Sequence, residues 1–156
     1  MKFSHELIVP EAGFPFKLFI FEGSGGNYYR EKHWHRSIEI FAVCSGELEF
    51  YVDDRQWHLA PGNFMIVNSN EVHSIDSPLP NETIVLQIPL KLFEGYFTGE
   101  QFIWFSHEPG RRDERFMELI RELYEVYSRK ACGYDMQMKS IFYQIMYLLV
   151  KDYRLI

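Results

Sequence analysis

Residues 32 to 50, "KHWHRSIEIFAVCSGELEF", set two histidines one residue apart and place Glu39 four positions after the second, inside an otherwise apolar run. Every second side chain of an extended strand shares a face, so His33, His35 and Glu39 fall on one side, and Phe41 and Val43 continue that side. Trp34 has the opposite parity. A carboxylate on a face that turns apolar needs compensation, because burying an unpaired charge is expensive. Hydrogen bonds from the imidazoles supply it, and so does a divalent cation held by neutral imidazole nitrogens and the carboxylate. His73, in "PGNFMIVNSNEVHSID", follows an Asn-Ser-Asn turn and is the fourth candidate ligand. Imidazole and carboxylate donors suit zinc, iron, manganese, nickel or copper, and an incomplete protein shell leaves room for water or a small molecule, as catalytic metal sites do. The residues alone do not choose between an ion and hydrogen bonding within the same set. His58, beside Trp57 and ahead of a turn, reads as a surface or satisfied core residue, while His5 and His107 have no partner nearby in sequence.

Strands must hold these groups. From Phe16 to about Leu90 the chain consists of short β-rich runs ("FKLFIFEG", "IEIFAVCSG", "ELEFYVDD", "QWHLAPGN", "FMIVNSNE", "TIVLQIPL") divided by turn residues. Asp53-Asp54 marks a hairpin, Pro61-Gly62 a turn, and the number and spacing of the runs favour a barrel or sandwich. After Pro109-Gly110 the period changes. Phe116, Leu119, Ile120, Leu123, Val126 and Tyr127 recur at helical spacing and predict a helix over about 112–130, stopped by Gly133. A second helix is predicted from about 134, with Met138, Ile141, Phe142, Ile145, Leu148 and Leu149 in a three-four alternation of the coiled-coil kind. Tyr143, Met146, Tyr147 and Val150 surround that seam, so more than one partner must cover the helix; the six seam residues are the expected interface with a second copy.

The 156 residues amount to one core-forming unit, and 47% hydrophobic with 17% aromatic content, including 14 Phe and 10 Tyr, excludes a disordered segment. A formal charge of −6 carries no basic footprint for nucleic acid, so any DNA contact must lie elsewhere. The N-terminus lacks the pattern of an export signal, and the longest apolar stretch, "IFYQIMYLLV", is short and interrupted by Gln144; a cytoplasmic protein without a membrane span is expected. Cys44 and Cys132 lack metal or redox spacing and are expected to be reduced structural thiols.

His33-x-His35-x3-Glu39-x6-Gly46 resembles the first cupin signature and keeps its internal spacing. Gly62-x5-Asn68-x-Asn70-x2-His73 is similar to the second signature and departs from it at Asn68 and Asn70, while Gly26 lies one residue too far from His33. A narrower likeness, along nearly the whole chain, is to the N-terminal sensor domains of AraC-type transcriptional regulators. The resemblance implies a mainly β fold with C-terminal helices: a cupin (double-stranded β-helix or jelly-roll) barrel over 1–108, then an antiparallel two-helix pair over 109–156 packed on it and forming a dimer interface. It implies a small-molecule effector, sugars among the candidates, in the barrel lumen, with DNA bound only through a helix-turn-helix domain absent from this chain. The chain is expected to continue naturally beyond Ile156, and "MKFSHELIVPEAG" is either an edge strand or an arm that folds over a filled pocket.

On this reading His33, His35, Glu39, Phe41, Trp57 and His73 contact the effector, no residue is catalytic, and zinc, iron, manganese or nickel on His33, His35, Glu39 and His73 stays an open alternative. The rivals are a metal-dependent cupin enzyme of the dioxygenase, isomerase or decarboxylase class, and a free-standing sugar-binding cupin. No further acid, base or nucleophile can be assigned to the enzyme.

Overall fold

The computed structural model describes residues 5–8, 13–22, 26–30, 37–69, 71, 73–77, 79–97, 103–107 and 112–155. Among the described residues nine strands come first: β1 (His5–Ile8), β2 (Lys17–Phe21), β3 (Gly26–Arg30), β4 (Ser37–Ser45), β5 (Leu48–Val52), β6 (Arg55–Leu59), β7 (Phe64–Val67), β8 (His73–Ser77) and β9 (Glu82–Pro89). A 3-10 helix over Leu90–Tyr96 and the short β10 (Trp104–Phe105) lead to the helices α1 (Glu114–Arg129) and α2 (Tyr134–Leu148). A π turn over Leu149–Tyr153 ends in β11 (Arg154–Leu155), which pairs with β10.

The long strands form two antiparallel sheets, one ordered β1-β2-β9-β4-β7 and the other β3-β8-β5-β6. Period two then decides the layering. Along β4, Ile38, Ile40 and Ala42 join one buried cluster, whereas Phe41 and Val43 join another. The same split separates Leu18 and Ile20 from Phe19 and Phe21 on β2, and Phe64 and Ile66 from Met65 and Val67 on β7. The first set packs against α1, α2 and the 3-10 helix. The second meets Leu48, Phe50, Val52, Leu59 and Ile75 of the facing sheet and fills the space between the sheets. A sheet covered on both faces needs apolar residues on both sides of each strand, which explains the hydrophobic runs of β2 and β7 and that of β4, which only Glu39 interrupts. On the facing sheet β5 and β8 alternate between buried and partly exposed side chains, as strands with one face turned to the core do. The expected mainly β fold with a C-terminal helical pair packed on it is the one observed.

Two turns are tied down by backbone demands. Gly46 ends β4 with φ +75°, and a Cβ there would come within 2.3 Å of the Pro80 carbonyl oxygen, so no other residue fits. At Pro61-Gly62 the Gly62 amide donates to Val43 O, the Val43 amide to Asn63 O, and the Asn63 side chain accepts from the Ala60 amide.

Helix α1 begins on Asp113, whose side chain accepts from the Phe116 amide, and ends on Lys130 in the left-handed region. Gly133, expected to stop this helix, instead starts α2 with φ +81°. The interface expected on α2 is corrected by the packing. Met138, Ile141, Phe142, Ile145, Leu148 and Leu149 are buried within the chain against α1 and the sheet, where the most apolar seam gains most from losing water. The outward stripe carries Met136, Tyr143 and Tyr147. Cys44 is half-buried against the core, as expected of a structural thiol, but Cys132 is exposed in the turn before α2. Burial raises the Cys44 pKa against the pull of Arg121, so this thiol is a poor nucleophile. No described helix is long and apolar enough to cross a membrane.

Candidate functional site

Glu39 lies in the middle of the lumen face of β4, 4% exposed, and Gln87 of β9 stands directly opposite it. The Gln87 Nε2 donates to Glu39 Oε2 at 2.8 Å. From the facing sheet His73, 3% exposed, brings Nε2 to 3.5 Å from Glu39 Oε1. Strand parity puts all three on the inner face, and the two-sheet architecture brings β8 over β4 and β9. The imidazole is framed by aromatic rings. Phe50 lies parallel to it with centroids 5.9 Å apart, and Phe41 meets it edge-on at 5.5 Å. A carboxylate, an amide and an imidazole thus converge beside apolar rings, a set of hydrogen-bond donors and acceptors chemically suited to a small polar molecule.

A second polar cluster lies at one edge of the lumen. Asn68, just past β7, accepts from the Phe105 amide at 2.7 Å and donates to the Phe105 carbonyl at 2.8 Å. Its own amide and Nδ2 both donate to Glu71 Oε1, and the His107 Nε2 bonds the same carboxylate at 2.8 Å to Oε2. Burial raises the Glu71 pKa, but the bonds from His107 and the Asn68 amide outweigh it and hold the carboxyl below its usual range. The His107 ring meets Trp57 edge-on at 5.6 Å, and Trp57 also carries the Arg55 guanidinium 4.9 Å above its ring.

Of the effector and metal candidates, the structure brings together Glu39, His73 and Phe41. Trp57 packs against the same inner cluster from β6, opposite Phe50. His33, Trp34 and His35 lie outside the described residues. Glu39 Oε1 and His73 Nε2 do point at each other as two ligands of one ion would, but among the described residues no group of three His, Cys, Asp or Glu side chains is placed to hold a metal. His58 faces outward and bridges Glu47 and Glu49, as a surface histidine. His107 has its partner, Glu71, far away in sequence. The departure at Asn68 from the second signature has a structural use, since this side chain holds β10. Gln87 and Phe50 were not among the predicted residues; the lone polar residue in "TIVLQIPL" and the parity of "ELEFYV" are the signals that find them.

An antiparallel two-sheet barrel with polar and aromatic side chains in its lumen, backed by a helical pair, is a cupin-type binding domain. The family model for the AraC-like ligand binding domain matches residues 16–146, and the chain belongs to that family. In fold it is similar to the cupin domain of an XRE-family transcriptional regulator from Enterobacter cloacae, at TM-score 0.50 and 21% identity, covering 55% of this chain and 95% of that one. It is also similar to the plu4264 protein of Photorhabdus luminescens, at TM-score 0.51 and 15% identity, covering 60% of this chain and 81% of that one. No curated protein matched the sequence.

Proposed function

We propose that this domain senses a small organic effector in its lumen and, as a homodimer, conveys occupancy to a DNA-binding domain carried elsewhere. The observation behind this reading is the cluster of buried Glu39 and His73 with half-buried Gln87, beside Phe41 and Phe50. Polar groups placed there cost stability relative to apolar filling, and a guest that hydrogen-bonds to them recovers that cost. Sugars and other hydroxylated metabolites match a carboxylate and an amide flanked by rings. The AraC-like family supports a regulatory use over catalysis.

The convergence of Glu39 Oε1 and His73 Nε2 supports a second reading. Zinc, iron, manganese or nickel would be held by these two side chains together with His33 and His35, and would supply a Lewis acid in the lumen. Glu39 and His73 would then act as ligands, and Gln87 would orient the carboxylate.

A thermal-shift panel of sugars, small acids and divalent metals tests both. A ligand that binds only the folded state stabilises by about 2.7 kcal/mol at a hundred times its dissociation constant. The expected result is a shift by an organic compound that disappears in Glu39→Leu. A panel without any stabiliser would remove the sensor reading, and stoichiometric iron or manganese with oxygen consumption would replace it by the enzyme.

A further inference from the structure

The edge cluster has no part in binding as described above, yet it touches both the lumen and the C-terminal elements. β10 is only two residues long and has β11 on one side. On its other side the Asn68 amide makes both bonds to Phe105 that a neighbouring strand would make. Asn68 is in turn oriented by Glu71, which accepts from its amide and from Nδ2, and Glu71 is fixed by His107. The His107 carbonyl accepts from Ile66 of β7, and its ring rests on the edge of Trp57. From Phe105 the contacts run on: Phe105 pairs with Arg154, the Ser106 amide donates to the Tyr153 carbonyl, and the Tyr153 hydroxyl donates to Asp113, the cap of α1.

We infer that Asn68, Glu71 and His107 form a latch coupling Trp57 at the lumen to the β10-β11 ribbon and the start of α1. The inference rests on the reading that the lumen takes a small molecule, and it names the route by which occupancy alters the C-terminal elements. A guest that displaces the Trp57 ring moves the surface on which His107 rests. Glu71 then loses a bond, Asn68 loses its orientation, and the ribbon loses the partner on its open side. Coupling of this kind is reciprocal, so a ribbon held more firmly also favours one arrangement of Trp57. The three latch residues are positioning residues: each acts through another group.

Hydrogen exchange followed by NMR on the intact chain, with no guest added, reads the latch directly. The Phe105 and Ser106 amides are the reporters, and the β4 and β9 amides the internal reference. In Glu71→Gln, which keeps size but weakens the bond to His107, reporter protection is expected to fall about tenfold relative to the reference. In Trp57→Leu the same selective fall is expected, carried through the His107 ring that Trp57 meets; Trp57→Phe serves if the leucine variant does not fold. Reporter protection unchanged relative to the reference in the Trp57 variant, or falling in step with it, overturns the latch. Because no guest is needed, a failed effector panel with a positive exchange result removes the sensor reading alone, and the converse result removes the latch alone.

Discussion

At the scale of single residues, Gly46 and His58 make opposite demands on the chain. Gly46 combines positive φ with a backbone oxygen where a Cβ would sit, and neither can relax without moving the turn around Pro80. Gly46→Ala should therefore cost about 2 kcal/mol or more, visible as a fall in melting temperature of several degrees; an unchanged melting point would mean the turn rearranges freely. His58 bonds Glu49 at 2.7 Å and Glu47 at 2.8 Å on the solvent side of β5 and β6. The bond to Glu49, then that to Glu47, raise the His58 pKa, and the bond from His58 lowers that of Glu49. A raised imidazole pKa contributes stability that is complete below the ordinary value of about 6.5 and is lost as pH rises through the raised value. The lowered carboxyl contributes above its ordinary value of about 4.3, and that part is lost as pH falls through the lowered one. The melting difference between wild type and His58→Gln should thus peak between about pH 4.5 and 6.5. Because the groups are exposed, the effect stays below about 1 kcal/mol and shrinks in salt. A difference that stays flat from pH 5 to 9 would contradict the assignment.

At the scale of elements, Asp113 does two jobs: it caps α1 through the Phe116 amide and receives the Tyr153 hydroxyl from beyond α2. Asp113→Ala should cost about 1 kcal/mol for the cap alone, with a further loss from Tyr153, whereas Asp113→Asn keeps a good cap and should retain most of the stability. Equal losses in the two variants would show that the charge on Asp113, and not its capping geometry, holds this corner. Elements of this kind separate what was legible in the residues from what was not. Strand parity placed Glu39, Phe41 and Val43 on one face, and the structure has Phe41 and Val43 in the inner cluster with Glu39 between β9 and β7. Helical spacing found α1, because Phe116, Leu119, Ile120, Leu123 and Val126 are all buried. Local pattern could not find Asn68 with Phe105, or Glu71 with His107, since those partners are 37 and 36 residues apart. Nothing about a single histidine in "WFSHEP" reveals a carboxylate on another loop.

At the scale of the whole molecule, the periodicity of α2 told that one seam is buried but not what buries it. The alternation of the six seam side chains is equally that of a contact with a second copy, yet the chain itself covers them. The outward stripe is what remains for a partner. Met136 is 75% exposed, and Tyr143 and Tyr147 are each 63% exposed, at spacings that keep them on one side of the helix. Lys151 reaches over the Tyr147 ring at 5.7 Å, which leaves a rim of mixed polarity around the tyrosines. Amphipathic rings with few rotatable bonds suit an interface, and a helix pair related by a two-fold axis would set one stripe against its own copy. Two substitutions separate the faces. Ile145→Asp puts a charge where the side chain is 0% exposed and should unfold the domain, giving lost cooperativity in melting at any protein concentration. Tyr143→Glu with Tyr147→Glu should leave the melting transition of the monomer intact and convert a dimer to a monomer in sedimentation, since a like-charged pair would meet itself across the axis. If the double glutamate variant keeps the mass of the wild type, the tyrosine stripe is not the contact between copies.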